Sequence, residues 1–450
     1  MAGGNFDILA GKVRPGTYTN FESTRNDYTG VSERGTTVIP LIGHDYGPEK
    51  KMILLTNSSP DARFDMLGYS IFDNDPGGNM LLLREAFKSA RYVYVYITKT
   101  GTPASGLGGG VKAKARFGGT RGNALRYSFV ENPAGGFDIT IFLGADRVSF
   151  YEGVPDVAAL IAENSRFIDF TVDSDATTPG ELEEIAGITL TGGTDVPTTN
   201  TDISAFTDAL DNIRFNTVCF PVEDPTLHTA IRTKISYLRR NVGRGVQAVV
   251  PDFSADFEGI ISVTNSPVVD GAALTHAQAC AWVAGASAGA SYVQSLTYRR
   301  YIGATDIVDP KDNEESIAAI RAGEFFFSFS ESGEVIVEYD INSLTTFVKP
   351  VDKTYSKNRV MRVFDTFKEA LQVNFPPNKF DNSPTGWDVM EGLGKAILKR
   401  FEDVGAVKNV DYDNDFLVDR ELSTGDEVYF VVGLEPVDSA EKLFFTVKTR

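Results

Sequence analysis

Along residues 26–100, short apolar runs alternate with turn signals. Thr36–Ile42 and Tyr92–Ile97 carry the β-branched and aromatic residues of strands, and Met80–Ala90 reads as a short helix between them. Strand, helix and strand in that order predict a βαβ-like unit. After Thr100–Gly110, a glycine-dense stretch read as a flexible joint, the pattern is one of strands. Ala124–Val130, Phe137–Leu143 and Arg166–Val172 are expected strands, with Pro133–Gly136 a hairpin turn between the first two. The stretch closes on Leu190-Thr-Gly-Gly-Thr-Asp195. Residues 101–195 are therefore expected to form an all-β insert whose two ends meet on one surface of the host domain.

Alternation of helices and strands resumes at 202–330. Ile203–Asn212 and Leu227–Val242 read as helices, and Thr217–Val222 and Gly245–Pro251 as strands. Beyond Gly333, Val335, Val337, Tyr339 and Ile341 fall on one strand face. Asn358–Phe375 aligns Val360, Phe364, Phe367 and Leu371 on one helical stripe, and Asp388–Val404 aligns Val389, Leu393, Ile397, Phe401 and Val404. Glu441–Arg450 reads as a strand, with Phe445 and Val447 on one face and Phe444, Thr446 and Lys448 on the other. At the opposite end, Gly11–Gly16 frames an opening too broken for a helix, followed by Thr17–Phe21. Terminal strands leave backbone donors and acceptors open to another chain. The alternative is that both ends tuck into their own domain. The expected organisation is an arm (1–25), the first part of an α/β body (26–100), the insert (101–195), a second α/β region (196–332), a C-terminal α+β region (333–435) and a second arm (436–450).

The 450 residues suffice for two or three cores. With 43 basic and 61 acidic side chains the formal charge is −18, which opposes binding to a nucleic-acid backbone. Met1–Asp7 lacks the basic start and apolar run of a secretory signal. Ala277–Val293, rich in Ala, Gly and Ser and containing Gln278, reads as a packed helix rather than a membrane span. Cys219 and Cys280 lie in apolar contexts and are expected to be buried free thiols.

Candidate chemistry is sparse. Gly285-Ala-Ser-Ala-Gly289 has the G-x-S-x-G spacing of a nucleophile elbow, which requires a strained strand-to-helix turn and a histidine base. Ala-rich flanks favour close helix packing instead, and His44, His228 and His276 all precede Ser287. A serine hydrolase using Ser287 is the alternative from a different class. Asp411-Tyr-Asp-Asn-Asp415 opens like a calcium loop but carries Phe416 and Leu422 where that loop needs glycine and glutamate. The histidines and cysteines are too scattered for a zinc site. No catalytic, cofactor or metal residues are assigned. Lys395, Lys399 and Arg400 give one side of the second amphipathic helix a local positive face.

Val335–Thr345 followed by Lys357–Asp365 resembles the C-terminal region of contractile phage tail sheath proteins, including those of phage-like contractile particles. Gly11–Tyr18, Leu190–Asp195 and Val437–Val447 resemble further parts of that family in the same order. The resemblance implies a β-sandwich insert, a middle α/β domain of subtilisin-like fold without its chemistry, and a C-terminal α+β domain nearest the tail axis. It implies that terminal arms, here around Val13, Tyr18, Phe21, Phe444, Phe445 and Val447, extend a sheet in neighbouring copies and link hexameric rings into a helical sheath around an inner tube. On this reading Lys395, Lys399 and Arg400 touch the tube, the joints Gly11–Gly16 and Gly433 with Pro436 act as hinges, and baseplate and tail terminator proteins are further partners. Neither nucleic acid nor membrane insertion is expected. The particle is a virion tail built in the bacterial cytoplasm, or a bacteriocin-like injection particle.

Overall fold

The computed structural model describes residues 34–449. A seven-stranded sheet lies at its centre. The strands are β1 (Thr36–Leu41), β2 (Met52–Thr56), β3 (Tyr92–Ile97), β4 (Thr217–Cys219), β5 (Gln247–Pro251), β6 (Ile260–Val263) and β7 (Glu324–Phe325), in the order β7-β6-β5-β4-β1-β3-β2. All neighbours are parallel except β2, which runs antiparallel to β3. The β1–β3 pair, joined in register from Thr36 opposite Tyr92 to Leu41 opposite Ile97, is the expected βαβ unit.

Period-two alternation sends these strands' side chains to two cores, as a sheet covered on both faces requires. Ile39, Leu41, Cys219, Val249 and Ile261 meet helix α1 (Asn79–Phe87). The helix His276–Gly289 belongs to that same core. Val38, Val218, Phe220, Ala248 and Val250 face the opposite core, built on the helices Asn200–Ala209, here α2, and Pro225–Tyr237, here α3. The His276–Gly289 helix is thus α4, and its small residues permit a near approach to α1. A Cβ on Gly285 would lie 2.3 Å from the Ala86 carbonyl oxygen, and one on Gly289 2.2 Å from that of Ser89. The glycines of the G-x-S-x-G segment serve this packing.

Residues 101–195 form two small sheets that share one core. Ser105–Gly108, Val111–Ala115 and Ile168–Val172 make one. Leu125–Glu131, Phe137–Leu143, Asp146–Val154 and Ile185–Thr189 make the other. Val111, Ala113, Tyr127, Phe129, Ile141 and Phe170 pack between them. Gly101–Thr102 pairs with Thr194–Asp195, so the segment leaves and returns at one point. Two expectations are corrected here. The segment also contains a short helix, Val157–Ala162, capped by the Asp156 carboxylate accepting from the Ala159 amide at 2.8 Å. Thr100–Gly110 is not a flexible joint, because its glycines let backbones touch: a Cβ on Gly101 would sit 1.8 Å from the Thr194 carbonyl oxygen.

Val335–Val337 is a strand paired with Phe327–Phe329, but Tyr339 and Ile341 lie beyond it. Helices α5 (Asn358–Asn374) and α6 (Pro384–Asp403) and a two-stranded hairpin, β8 (Phe416–Thr424) and β9 (Glu427–Val432), follow. Val363, Phe367, Ala370, Ile397, Leu398, Phe401 and Phe416 form their core. The expected stripes are rotated: Phe364 and Leu371 are half-buried, while Val389 and Val404 are exposed. A strict i, i+4 series turns about 40° per step and carries its far members off the buried face. Val404 also lies past the last core layer, at the helix cap.

Candidate assembly surfaces

A buried polar seam joins α5 to the body. Arg362 and Asp340, each 1% exposed, pair at 2.6 Å, and the same guanidinium donates to the Gln294 carbonyl at 2.7 Å. Asp340 also accepts from the Leu296 amide and the Asn358 side chain. One turn further on, Asp365 takes two hydrogen bonds from Arg239, both at 2.9 Å. Desolvation opposes such charges and these bonds offset it, although Arg362 Nε is buried without a hydrogen-bond partner; the paired groups fix the orientation of α5. Ser287 belongs to this seam. It is buried inside α4, with its hydroxyl 3.4 Å from Arg362, rather than on a strand-to-helix turn. The histidines bond elsewhere: His44 with the Leu67 carbonyl, His228 with the Val222 carbonyl and His276 with Asp252.

Cys219 and Cys280 are free and buried, and burial pushes both thiols up. Asp411 accepts from the Asn414 side chain and the Asp413 amide. These bonds, with the Lys395 charge adding to them, hold its carboxyl below the usual range, so the acidic stretch is a hydrogen-bonded loop leading into β8. On α6, Lys395 is half-buried, and Lys399 is exposed and paired with Asp403 at 3.1 Å. The expected positive face is therefore partly neutralised one turn along.

The segment after β9 has no partner within the chain. Phe444, Phe445 and Val447 are 91%, 83% and 84% exposed, and 441–449 forms no strand. A strand needs a hydrogen-bonded neighbour, and the described residues of this single chain offer 441–449 none. The hinge expectation for Gly433 and Pro436 is corrected. Gly433 donates to the Asp415 carbonyl at 2.9 Å, a Cβ there would lie 1.9 Å from the Asp415 carboxylate, and Pro436 bridges to Val407. Val13, Tyr18, Phe21 and the Gly11–Gly16 joint lie outside the described residues.

Sequence reasoning missed Glu441. Its side chain is 8% exposed and accepts from Ser295 at 3.0 Å, from Thr297 at 2.7 Å and from the Lys357 ammonium. Burial alone would lower the Lys357 pKa, but the hydrogen bonds to Glu441 and Tyr339 outweigh it and hold it above the ordinary lysine value. The donors lie 84 to 146 residues upstream, so no local pattern marks the site.

The α/β body thus carries an exposed apolar segment and a two-stranded hairpin among the described residues. Residues 197–343 match the family model for the phage tail sheath protein central domain, and residues 350–450 that for the phage tail sheath C-terminal domain. The phage-like element PBSX protein XkdK of Bacillus subtilis is 34% identical over the whole of both chains. The sheath tail protein of Desulfitobacterium hafniense is similar at a TM-score of 0.79 and 33% identity, covering 94% of this chain and 97% of that one. That of Listeria innocua gives 0.78 and 32%, covering 94% and 96%. The contracted sheath of the anti-feeding prophage shares the fold at a TM-score of 0.56 and 15% identity, covering 97% and 99%.

This chain belongs to the phage tail sheath family. It is a structural subunit of the sheath of a contractile tail or injection system, and so a component of a virion or particle tail.

Proposed function

We propose that subunits of this sheath link by strand exchange, with residues 443–449 of one copy adding a strand to the β8–β9 hairpin of another. The exposure of Leu443, Phe444, Phe445 and Val447 on an unpaired segment carries this reading. Each strand of the hairpin has one ladder partner among the described residues, which leaves room for a third strand. Five backbone hydrogen bonds at a net of about 1 kcal/mol each, with about 2 kcal/mol for each phenylalanine buried, make a link of modest strength before ordering costs. Repeated links of this kind let a polymer deform without dissociating. The N-terminal arm around Val13, Tyr18 and Phe21 supplies a second link on the same logic.

Within this reading, 101–195 acts as a β-sandwich appended to a subtilisin-like body. Hexameric rings stack around an inner tube, and contraction drives the tube through the host envelope. Lys395, Lys399 and Arg400 face the tube. An exposed ion pair is worth under about 1 kcal/mol, which suits a contact that must break during contraction. The ends of the polymer meet baseplate and terminator proteins, and assembly takes place in the bacterial cytoplasm. An infectious phage and a bacteriocin-like particle use the subunit identically.

The test is negative-stain microscopy of purified protein. Wild type is expected to form tubes, and the Phe444→Ser, Phe445→Ser, Val447→Ser triple variant to remain a folded monomer. Tubes from the triple variant contradict strand exchange. Reversal of Lys395 and Lys399 to Glu is expected to weaken assembly on the inner tube, and unchanged tails reject that contact.

A further inference from the structure

The segment leading to the exposed residues is held along its length. Lys408 donates to the Glu435 carbonyl at 3.0 Å and Val437 to that of Ala406 at 2.9 Å. Arg359 donates to the Ser439 hydroxyl at 2.7 Å, and Lys357 lies 3.7 Å from Asp438. The last of these attachments is Glu441, in a socket made by Ser295, Thr297 and Lys357, with the Lys357 ammonium stacked 4.0 Å over the Tyr339 ring. Immediately beyond it, Leu443 is 66% exposed and Phe444 91%.

The socket is assembled from both sides of the seam. Ser295 and Thr297 follow α4, and Lys357 caps the start of α5. A carboxylate buried on an otherwise irregular segment has a desolvation cost that its three donors offset, so its position is specified. Lys442, the next residue, is a further 5.9 Å cation over the same Tyr339 ring.

We propose that Glu441 is the root clamp of the C-terminal segment: it keeps residues 436–442 on the subunit of origin and leaves the residues from 443 onward to be exchanged with a neighbouring copy. This rests on the strand exchange proposed above and deepens it by fixing where the exchanged strand starts. Seven extended residues, 443–449, reach about 23 Å, whereas loss of the Glu441 attachment, with Ser439 still held by Arg359, frees 440–449 to reach roughly 33 Å. The local concentration of a tethered strand falls roughly as the −3/2 power of tether length, so loss of the clamp dilutes it roughly 1.7-fold. Glu441 is thus a positioning residue, which acts through the strand that follows it.

The experiment uses the full chain with Ala440→Cys, labelled with a fluorophore at the introduced thiol, since Cys219 and Cys280 are buried. Glu441→Gln is compared with Ser295→Ala/Thr297→Val, which empties the socket from the other side and leaves the segment's own sequence intact. Both are expected to release nanosecond motion of the label, lowering its residual anisotropy about twofold. Both are expected to polymerise roughly 1.7-fold more slowly by light scattering. A label equally mobile with and without the clamp overturns the proposal. So does a freed label with polymerisation at the wild-type rate or faster. A chain ending at Lys442 separates the two readings. If it forms tubes, strand exchange is wrong while the anisotropy result on the clamp still stands; if it does not, the variants' rates judge the clamp.

Discussion

The seam around Arg362 and the segment that starts at Glu441 each hold a buried carboxylate, put to opposite uses. In the seam, charged groups are buried, each carboxylate has several donors, and removal of one group strands another. In the segment, four large apolar side chains stand in solvent behind a single buried carboxylate. The difference teaches where the subunit is one rigid piece and where it is incomplete. Force applied at α5 is carried into the body through Arg362–Asp340 and Arg239–Asp365, whereas residues 443–449 contribute nothing to their own fold.

The strongest way to break the contrast is Arg362→Met. It leaves Asp340 buried without its cation and is expected to destabilise the isolated subunit by about 3–5 kcal/mol in urea unfolding. A loss below about 1 kcal/mol would mean that the seam is not a lock. Next comes Asp75, which accepts from the amides of Asn79 and Met80 at the start of α1. Burial would raise its pKa, but the His44 imidazole 3.8 Å away and those two amides bring it down to about 2. A carboxyl held below its ordinary value stabilises the fold above that ordinary value and loses the contribution as pH falls through the folded one. Wild type is therefore expected to lose roughly 2 kcal/mol relative to Asp75→Asn between about pH 4 and pH 2, read from unfolding curves across that range.

Gly285→Ala sharpens the comparison on the body side. Alanine improves helix propensity by about 1 kcal/mol, yet its Cβ collides with the Ala86 carbonyl, and overpacking of about 1–3 kcal/mol leaves a net loss. Thermal unfolding reads the sign, and a gain in stability would show that α1 and α4 can separate freely. The smallest effect on the fold is expected from Phe445→Ser, within about 0.5 kcal/mol of wild type. The same change is expected to impair polymerisation. Stability and assembly thus part company in the segment and move together in the seam.

What the sequence disclosed follows the range of the interactions. β1, β3 and α1 are set by periodicity within six to eleven residues, and all three form where the pattern places them. The apolar faces of α5 and α6 were only half legible. α5 packs against two partners, so Arg362 and Val363 are both buried although they point to different neighbours. Val389 reads as a core residue and is exposed, because its fit to an i, i+4 series said nothing about where the facing core ends. Thr100–Gly110 looked loose for a similar reason: glycine density fits mobility and close backbone packing equally, and the deciding contact at Thr194 lies far along the chain. Glu441 was illegible outright, since a solvent-facing and a clamped glutamate are identical until Ser295, Thr297 and Lys357 are folded around one.

The most direct measurement is a cryo-EM reconstruction of the assembled polymer at a resolution that traces the backbone around β8 and β9. The account predicts a third strand on that hairpin, formed by residues 443–449 of a different subunit, with Glu441 still seated in the socket of its own. Density in which 443–449 lies on its own body, with the hairpin still two-stranded, would contradict it.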